Sequence, residues 1–528
     1  MANTSRSNSL AMSSTISTIS KTTYDNRDKA TVEHNHANSI QEGSNKDCEK
    51  GNSIPMPVDS CFEVTFDRDG PADPEDIARH LSLLRKYYIS SLITFTSMVI
   101  TIISSCWTFV SPKIMSHFHI SHEVSILGIT FYIFGLGFGP LFLSPISEFY
   151  GRRPTFIFSL TVSIIWQCLT TWSRTIEGMM FGRFLSGFFG STFLSVAGGS
   201  ISDIFDKDSI TVPMAIYTTS AMLGPELGPI ISGALYKVDY KWTFVTLLIA
   251  SGVCLALIIV TVPETYEPKL LIKKAQRLRE ETGDERWVAP LEITKKETSF
   301  MSSVFLSSKR PFLLLVRDPM MGVLCFYTGL VLAIVYLFFV AFPYIFKKLY
   351  GFHEMEVACA YIGMLVGMLV ACPTSIIFQK RYELKVKANN GERTPEMRFE
   401  PLFYGAFLSP VGLLIFAWTC YSHVHWIGPI IGSGVFGTGV FFVFVGVFNY
   451  TVDAYRRFAA SGMACNSFVR STMSGVFPLF GLQMYEGMGI NWASFLLAMV
   501  TMLMIPVPFL FTKYGAYLRG KSPYAWTD

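Results

Sequence analysis

Long runs of apolar residues recur along this chain from residue 91 onward, and they restrict its fold more than any other feature. A helix needs roughly 20 apolar residues to cross a bilayer, and only helices or closed barrels satisfy their backbone hydrogen bonds inside one. The runs have helical length, so the sequence predicts an all-α integral membrane protein with twelve transmembrane helices. The predicted spans are 91–112, 124–146, 155–173, 179–202, 211–235, 242–263, 321–346, 357–379, 402–421, 427–450, 461–483 and 490–512.

The composition agrees with a membrane protein and argues against several soluble domains. Of the 528 residues, 50% are hydrophobic and 16% are charged, whereas globular domains carry about 25% charged residues. The ten cysteines are scattered singly, so neither a zinc site nor a disulfide framework is predicted. Residues 515–522 match the letters of a phosphate-binding loop, but a membrane span precedes them where that motif needs a strand. No ATP site and no other cofactor is therefore expected.

The positions of the basic residues predict the orientation of the chain. An even number of spans puts both termini on one side of the membrane. If that side is cytoplasmic, the segments there hold most of the lysines and arginines, and the opposite segments hold only six. Cytoplasmic loops carry an excess of Lys and Arg, so both termini are predicted to be cytoplasmic.

One long internal loop divides the predicted spans into two halves of six. We therefore expect a disordered cytoplasmic tail at 1–63, a six-helix bundle with a leading segment at 64–263, a central cytoplasmic loop at 264–320, a second six-helix bundle at 321–512 and a cytoplasmic tail at 513–528. Within the loop, residues 270–286 predict an amphipathic basic helix lying along the membrane face. Two six-helix halves are the plan of transporters built from repeats, with the substrate site between the halves.

The loop after the second predicted span carries a compact charged motif. Gly139 precedes the loop, Glu148 supplies an acid, and Gly151 is followed by Arg152 and Arg153. This segment resembles the loop signature of the major facilitator superfamily, although that signature has Asp where this chain has Glu148. The resemblance implies a tight turn whose charged groups bind neighbouring helix ends in one conformation and release them in the other.

Two further motifs lie in the fourth and fifth predicted spans. Arg183, with Gly187 and Gly190 after it, is similar to the fourth-helix motif of the same superfamily. The fifth span resembles the motif associated with antiporters, in which small residues let another helix approach closely. The residues of that motif are Gly224, Pro225, Gly228, Pro229 and Gly233.

Other segments narrow the resemblance to a subgroup, the fungal twelve-spanner drug:proton antiporters. These segments are residues 263–283, 395–399, 449–455 and 470–471. The second half carries no clean copy of the loop motif near residues 379–384. The resemblance implies export of hydrophobic or cationic small molecules by alternating access, driven by inward movement of protons. A dedicated transporter of polyamines or other organic cations is the alternative within the subgroup.

Glu226 is an acid inside a predicted span, and such residues mark functional sites by default. Arg183 lies at a similar depth in the neighbouring span, given a rise of about 1.5 Å per residue. One hypothesis is that the two side chains interact, directly or through water, and that protonation of Glu226 from outside releases Arg183 and favours one access state. A permanent structural ion pair explains the same two residues equally well.

The second half offers further candidates. Asn449 and Asp453 lie near the inner end of the tenth span, where they either cap the helix, which we favour, or bind a cationic substrate. Arg470 lies mid-span, where it must face a cavity or a partner. Lipid-facing or interfacial surface is the ordinary role of any single aromatic residue, but aromatic rings also hold cations and planar drugs. The aromatic candidates for a substrate cavity are Trp107, Tyr217, Tyr327 and Tyr336.

The sequence as a whole therefore predicts a transporter and not an enzyme. Its expected partners are a small-molecule substrate, protons and the lipid bilayer, with no nucleic acid and no metal. The expected state is a monomer in the plasma membrane, with the vacuole or another internal membrane as the alternative. A membrane sensor that no longer transports and a membrane enzyme are rivals from other classes, but the charged transport motifs are present and no cluster of histidines or acids stands at the inner face.

Overall fold

The computed structural model describes residues 62–66, 81–205, 209–292, 300–522 and 524–525. By its internal contacts the chain divides into residues 1–63 and Val64–Asp528, and the helices described below belong to the second unit. The predicted disordered tail at 1–63 lies outside the described residues except for residues 62 and 63. The rest of the described chain consists of helices joined by connecting segments.

Each predicted span of the first half overlaps one helix or a series of joined helices. Cys106 separates α1 from α2, and single residues separate α5, α6 and α7. The helices are α1 Leu83–Ser105, α2 Trp107–Phe118, α3 His122–Tyr150, α4 Arg152–Trp172, α5 Ile176–Gly190, α6 Thr192–Ser195, α7 Ala197–Ile204, α8 Thr211–Ala234 and α9 Tyr240–Thr261.

Two helices occupy the segment between the halves, α10 Glu267–Thr282 and α11 Phe300–Arg317. Helix α10 matches the amphipathic helix predicted at 270–286 but ends earlier. Gly283 follows it with φ 67°, the left-handed conformation that commonly ends a helix.

The apolar side of α10 is covered by protein. Leu271 and Ala275 are buried in a small cluster with Val64 and Phe66, from the start of the second unit. The backbone N–H of Val64 donates to the carbonyl of Val288 at 3.1 Å and holds that segment in place. The predicted amphipathic helix therefore packs its apolar side on this chain, and its position along the membrane face stays a prediction.

The sequence did not predict α11, which contacts both halves. Ser308 donates its hydroxyl to the carbonyl of Leu141 in α3 at 2.8 Å. The ring of Phe312 packs edge-on against Phe468 in the second half, with 5.0 Å between the ring centroids. The predicted loop at 264–320 is thus largely helical.

The second half begins at Pro319 and again overlaps each predicted span. Its last helix continues to Lys521, so most of the predicted tail at 513–528 is helical. The helices are α12 Pro319–Tyr350, α13 Glu354–Ala360, α14 Ile362–Ala388, α15 Glu400–Thr419, α16 Ile427–Tyr455, α17 Ala459–Met488, α18 Ile490–Met502 and α19 Pro506–Lys521.

Ten helices of the described chain, counting joined segments as one, are long and apolar enough to cross a membrane. Helices α8 and α17 correspond to the fifth and eleventh predicted spans and contain 24 and 30 residues, but they are not among the ten. Glu226 lies in α8 and Arg470 lies in α17. These two predicted spans therefore each carry a charged candidate residue, which lowers their hydropathy.

Helix α8 packs against α1 through glycines of the predicted antiporter motif. A Cβ atom on Gly224 would lie 2.9 Å from the carbonyl oxygen of Met98, and one on Gly228 would lie 2.7 Å from that of Ile102. The two backbones therefore approach as closely as small residues allow. The two prolines of the motif lie inside α8 and do not end it.

Another side of α8 faces the second half. Thr219, Glu226 and Gly233 are seven residues apart and therefore lie along one stripe of the helix. Thr219 Oγ1 is 3.0 Å from the sulfur of Cys372 in α14, and a Cβ atom on Gly233 would overlap Ala358 in α13. Glu226 lies between these two contacts, so its stripe faces the second half.

Helices α3 and α17 form a second contact between the halves. Thr130 donates its hydroxyl to the carbonyl of Gly475 at 2.8 Å. A Cβ atom on Gly137 would lie 2.7 Å from Cβ of Ser471, so the helices touch closely here as well.

Replacing Gly228 with valine is expected to destabilise the chain by about 1–3 kcal/mol, the usual cost of overpacking a tight contact. The added side chain would meet the backbone of α1 at Ile102, which cannot rotate away. Thermal unfolding of the purified protein in detergent measures the effect. Gly252→Val in α9 is the matched control, because nothing lies within 4 Å of the atom it would add. Equal losses of stability in both variants would contradict close packing of α8 on α1.

Candidate functional site

Arg183 in α5 holds the break between α1 and α2. Helix α1 ends at Ser105, so its last carbonyl groups lack partners within the helix. Nη1 of Arg183 donates to the carbonyl of Ile103 at 2.8 Å, and Nη2 donates to that of Ser104 at 3.1 Å. The dipole of α1 also favours a cation at this end. The break and the arginine therefore stabilise each other.

The remaining surroundings of Arg183 compensate its charge without a carboxylate. Its Nε donates to the carbonyl of Gly128 in α3 at 2.9 Å. Its guanidinium carbon lies 5.0 Å from the ring centroid of Trp107 and 4.5 Å from that of Tyr132, within the range of cation–π attraction. Trp107 is fully buried, and its Nε1 donates to the carbonyl of Ser125 at 2.8 Å. In this structure its ring supports Arg183, and whether Trp107 also lines a substrate cavity stays a prediction.

Glu226 is buried without a partner. It is 0% exposed, and neither carboxylate oxygen has a hydrogen-bond donor within the part of the chain that the structure describes. Gly224 and Gly228 occupy the side of α8 that touches α1, and Glu226, two residues from each, lies on a different side. An isolated ionised carboxylate is costly to bury, so a charge on Glu226 requires water or a cation to arrive with it.

The structure does not contain the direct contact that the sequence suggested between Arg183 and Glu226. Each hydrogen bond found for Arg183 goes to a backbone carbonyl, whereas Glu226 faces the second half. Both motifs nevertheless meet the same break in α1, because Gly228 touches the backbone at Ile102 and Cys106. The structure therefore contains no direct ion pair between the two residues, their shared contact with α1 is one possible route of coupling, and an interaction through water stays a prediction.

Tyr336 of α12 lies where the two halves meet beside this break. Its hydroxyl is 2.8 Å from Oγ of Ser104 in α1. It also lies within electrostatic range of Glu226, Arg470 and Arg183. Because Ser104 supplies a carbonyl to Arg183 as well, this contact connects the surroundings of Arg183 with the second half. The role of Tyr336 towards a substrate stays a prediction.

Arg470 is a second cation without a carboxylate partner in these surroundings. It is half-buried, and its Nε has no hydrogen-bond partner among the described residues. Its guanidinium carbon lies 5.4 Å from the ring centroid of Phe444 and 5.5 Å from that of Phe448. It is within electrostatic range of Tyr217 and Tyr336, which come from different halves, so it lies near their interface. Its function there stays a prediction.

The other two aromatic candidates are placed differently from each other. Tyr217 donates its hydroxyl to the carbonyl of Leu194 in α6 at 2.9 Å, which ties α8 to its own half. Tyr327 is 1% exposed, and its hydroxyl has no hydrogen-bond partner in the described chain. A buried hydroxyl without a partner costs free energy, so Tyr327 lies in its surroundings at an energetic penalty. Whether either residue contacts a substrate stays a prediction.

The loop motif joins three segments on the side of the molecule that carries α10 and α11, here called the central face. Nε of Arg152 is 3.0 Å from Oδ2 of Asp203 in α7, and its backbone N–H donates to Glu264 at 2.9 Å. The guanidinium carbon also lies 4.6 Å from the ring centroid of Tyr266, and burial raises the pKa of that phenol. Gly151 has φ 99°, and a Cβ atom there would overlap Glu264, so only glycine fits.

The resemblance implied charged groups that bind neighbouring helix ends, and in this conformation Arg152 does so through two acids from other segments. Glu148 is exposed and lies within electrostatic range of Arg152 and Arg310. Asp203 and Glu264 bind Arg152 instead, because it begins α4 directly beside the ends of α7 and α9. Arg153 donates to a backbone carbonyl of α9 at 2.9 Å.

The second half contains a corresponding pair that sequence comparison of the two halves did not reveal. Arg398 lies just before α15, in the position that Arg152 has at the start of α4. Asp453 lies near the end of α16, in the position that Asp203 has near the end of α7. Nε of Arg398 is 2.8 Å from Oδ2 of Asp453. Asp453 is therefore part of an ion pair and not the helix cap that we favoured. Asn449 is exposed on α16.

Three contributing residues were missed at the sequence level. Glu264 falls in the segment 263–283 that carried the subgroup resemblance, so that segment held a usable signal. Arg398 lies in another such segment, 395–399. Ser104 is one serine within an apolar run, and nothing in the sequence distinguishes it.

The fold and these motifs define a class that comparison with known proteins identifies. Residues 91–478 match the family model of the Major Facilitator Superfamily. The chain therefore belongs to the major facilitator superfamily, whose members are multi-pass membrane transporters.

Individual relatives and one solved structure give a more specific comparison than the family model. The chain is 74% identical over 466 residues to a Saccharomyces cerevisiae protein described as "Probable drug/proton antiporter YHK8", which covers 88% of this chain and 90% of that protein. It is 44% identical over 423 residues to "Efflux pump atB" of Aspergillus terreus, covering 79% of this chain and 87% of the pump. Among solved structures, the proton:xylose symporter XylE matches with a TM-score of 0.58 over 82% of this chain and 96% of that chain. The identity to XylE is 12%, so this match concerns the fold alone.

Replacing Arg183 with lysine is expected to cost almost as much stability as replacing it with glutamine. Lysine keeps the charge, but its ammonium cannot donate to three carbonyls in the planar geometry of a guanidinium, and each lost bond to a charged group costs about 1.5–3 kcal/mol. Thermal unfolding in detergent measures this loss. Adding Glu226→Gln to Arg183→Gln should not restore stability. Restoration would show that the two side chains form an ion pair after all.

Asp453→Ala is expected to lower the free energy of unfolding by about 1 kcal/mol, the scale of a partly exposed ion pair. Asn449→Ala, one turn earlier on the same helix and exposed, is the matched control and should change nothing. Arg398 also donates to Oε1 of Gln379 at 2.7 Å and stacks on Tyr382, so Arg398→Ala has a cost of its own, but the double variant should lose less than the sum of the two single variants. Additive losses in the double variant, measured by thermal unfolding, would contradict the pairing.

Proposed function

We propose that this chain is a proton-driven antiporter that exports hydrophobic or cationic small molecules. Its similarity to a probable drug/proton antiporter and to an efflux pump supports this function. In the proposal, α8 and α17 join the ten long apolar helices to give twelve spans in two six-helix bundles. The two bundles tip relative to each other and open the space between them to one side of the membrane at a time.

The proposed orientation follows from charge. Basic residues are concentrated in the segments of the central face, and such segments are retained in the cytoplasm. The central face, and with it both ends of the chain, is therefore proposed to be cytoplasmic. The plasma membrane is the proposed location, since an exporter must reach the cell surface to expel its substrate.

The contacts between the halves suit alternating access. Gly233 packs on Ala358 near the end of α8 that lies away from the central face, and Thr130 bonds to Gly475 between α3 and α17. These contacts close the space between the bundles on the proposed outer side. They must separate when that space opens outward, and close helix contacts built on small residues can separate without leaving large side chains unpacked.

The single observation that carries the proposal is the buried, unpartnered carboxylate of Glu226 between the halves. A proton and a cationic substrate can each neutralise this carboxylate, and either event removes the cost of burying its charge. The proton and the substrate therefore compete for the carboxylate of Glu226. A proton that arrives from the outer side displaces the substrate, and the inward-facing state exchanges the proton for a new substrate, which is the logic of antiport.

Glu226→Gln is expected to abolish the dependence of export on external acidity, because glutamine keeps the shape of the side chain but neither binds nor releases a proton. The measurement is retention of a panel of cationic dyes, azoles and polyamines by cells stripped of their own exporters, at acidic and at neutral external pH. Glu177→Gln is the control, since Glu177 is an exposed acid in the first turn of α5.

Export that still follows the proton gradient in the Glu226→Gln protein would contradict this role for Glu226. Export of polyamines alone would replace the broad substrate range by the narrower alternative. No export of any compound by the unaltered chain, under any proton gradient, would overturn the proposed function.

A further inference from the structure

Asp318 is a buried carboxylate that accepts hydrogen bonds from residues at three helix ends on the central face. It is 1% exposed and caps α12, where it accepts a hydrogen bond from the backbone N–H of Met320 at 3.0 Å. Tyr455, the last residue of α16, donates its hydroxyl to Oδ2 of Asp318 at 2.7 Å. Ser522, which follows α19, donates its hydroxyl to the same oxygen at 2.5 Å. The carboxylate thus holds the C-terminal end of the described chain on the second half.

Further contacts dock the C-terminal segment. Oγ of Ser522 accepts hydrogen bonds from the backbone N–H groups of Tyr524 and of the next residue at 3.3 and 3.2 Å. The ring of Tyr524 packs edge-on against Phe458, with 5.7 Å between the ring centroids. The bond that Ser522 donates to Asp318 requires the proton of an unmodified hydroxyl.

Ser522 also stands in a sequence that protein kinases recognise. The chain has four Ser-Pro pairs, at Ser111, Ser144, Ser409 and Ser522. The first three serines lie inside α2, α3 and α15, where a kinase cannot bind them in an extended form. Ser522 lies beyond the end of α19 with an extended backbone, φ −81° and ψ 127°, and is only half-buried. It is the Ser-Pro site of this chain that a proline-directed kinase can reach.

We propose that Ser522 is a phosphorylation site and that its phosphate releases the C-terminal segment from Asp318. A proline-directed protein kinase transfers the γ-phosphoryl group of ATP to Oγ of Ser522. The serine hydroxyl loses its proton, a new P–O bond forms at Oγ, the bond from the γ-phosphorus to the bridging oxygen breaks, and ADP leaves.

The charge of the product is what drives the release. The phosphate brings a charge of about −1.5 to −2 at pH 7. It would stand where Ser522 now donates to a buried carboxylate, and a phosphate beside an acid disrupts a contact by repulsion. The docked and undocked forms interconvert, the kinase acts on the undocked form, and the phosphate prevents its return. Tyr455 and the cap of α12 remain on Asp318, so the rest of the second half stays folded.

The test uses the full-length protein, purified from fungal cells and incubated with ATP and a proline-directed kinase, against a phosphatase-treated sample. Mass spectrometry locates the phosphate, and hydrogen–deuterium exchange of the C-terminal peptide measures docking. We expect phosphate on Ser522 and exchange at least several-fold faster in that peptide alone. Absence of phosphate from Ser522, or a phosphorylated protein with unchanged exchange, would overturn the proposal.

Two variants separate charge from size without a kinase. Ser522→Glu brings a negative charge to Asp318, and Ser522→Gln brings a side chain of similar size without one. We expect faster exchange in the glutamate variant than in the glutamine variant, and equal exchange in the two would contradict release by charge.

Discussion

A charge buried between membrane helices must be compensated where it lies, and Arg183 and Glu226 differ in this respect. Arg183 binds three backbone carbonyls and two aromatic rings, so its charge persists in every state that keeps the break in α1. Glu226 has no such partners among the described residues. Its ionised form therefore depends on what enters the space between the halves, and on this ground we propose that it links protons to transport.

The break between α1 and α2 connects these two residues. Arg183 binds the carbonyls just before the break, and Gly228 of α8 packs against the same turn of α1. A movement of α8 that follows a change at Glu226 would therefore reach the break, and through Ser104 it would reach Tyr336 in the second half. On the central face the pairs Arg152–Asp203 and Arg398–Asp453 hold corresponding helix ends in the two halves.

The sequence predicted the positions of the helices well because hydropathy reports directly on burial in lipid. It predicted their ends less well. Helix α1 begins at Leu83, before the apolar run, because Arg85 and Lys86 are helical although they are polar. Helix α11 was missed because its apolar residues alternate with serines and basic residues in a segment that appeared to be loop. Polarity marks where a chain leaves the lipid, and it does not mark where a helix stops.

The features of the candidate site were likewise predictable from the sequence only in part. A lone acid in an apolar span is conspicuous, so Glu226 was identified from sequence. The lack of a direct contact with Arg183 was not foreseen, because depth along neighbouring spans does not say which way a side chain points. The spacing of Gly224, Glu226 and Gly228 held that information, since the glycines had to face a close helix and the acid another side. Partners contributed by the backbone, as at Arg183, leave no trace in side-chain sequence.

The central claim is that Glu226 changes its protonation when substrate binds, and infrared difference spectroscopy of the reconstituted protein tests it directly. Addition of a transported cation should remove the carbonyl stretching band of one protonated carboxyl group from the unaltered protein, and the Glu226→Gln protein should lack that change. A band that persists with substrate bound, or one that disappears equally in the Glu226→Gln protein, would contradict the account.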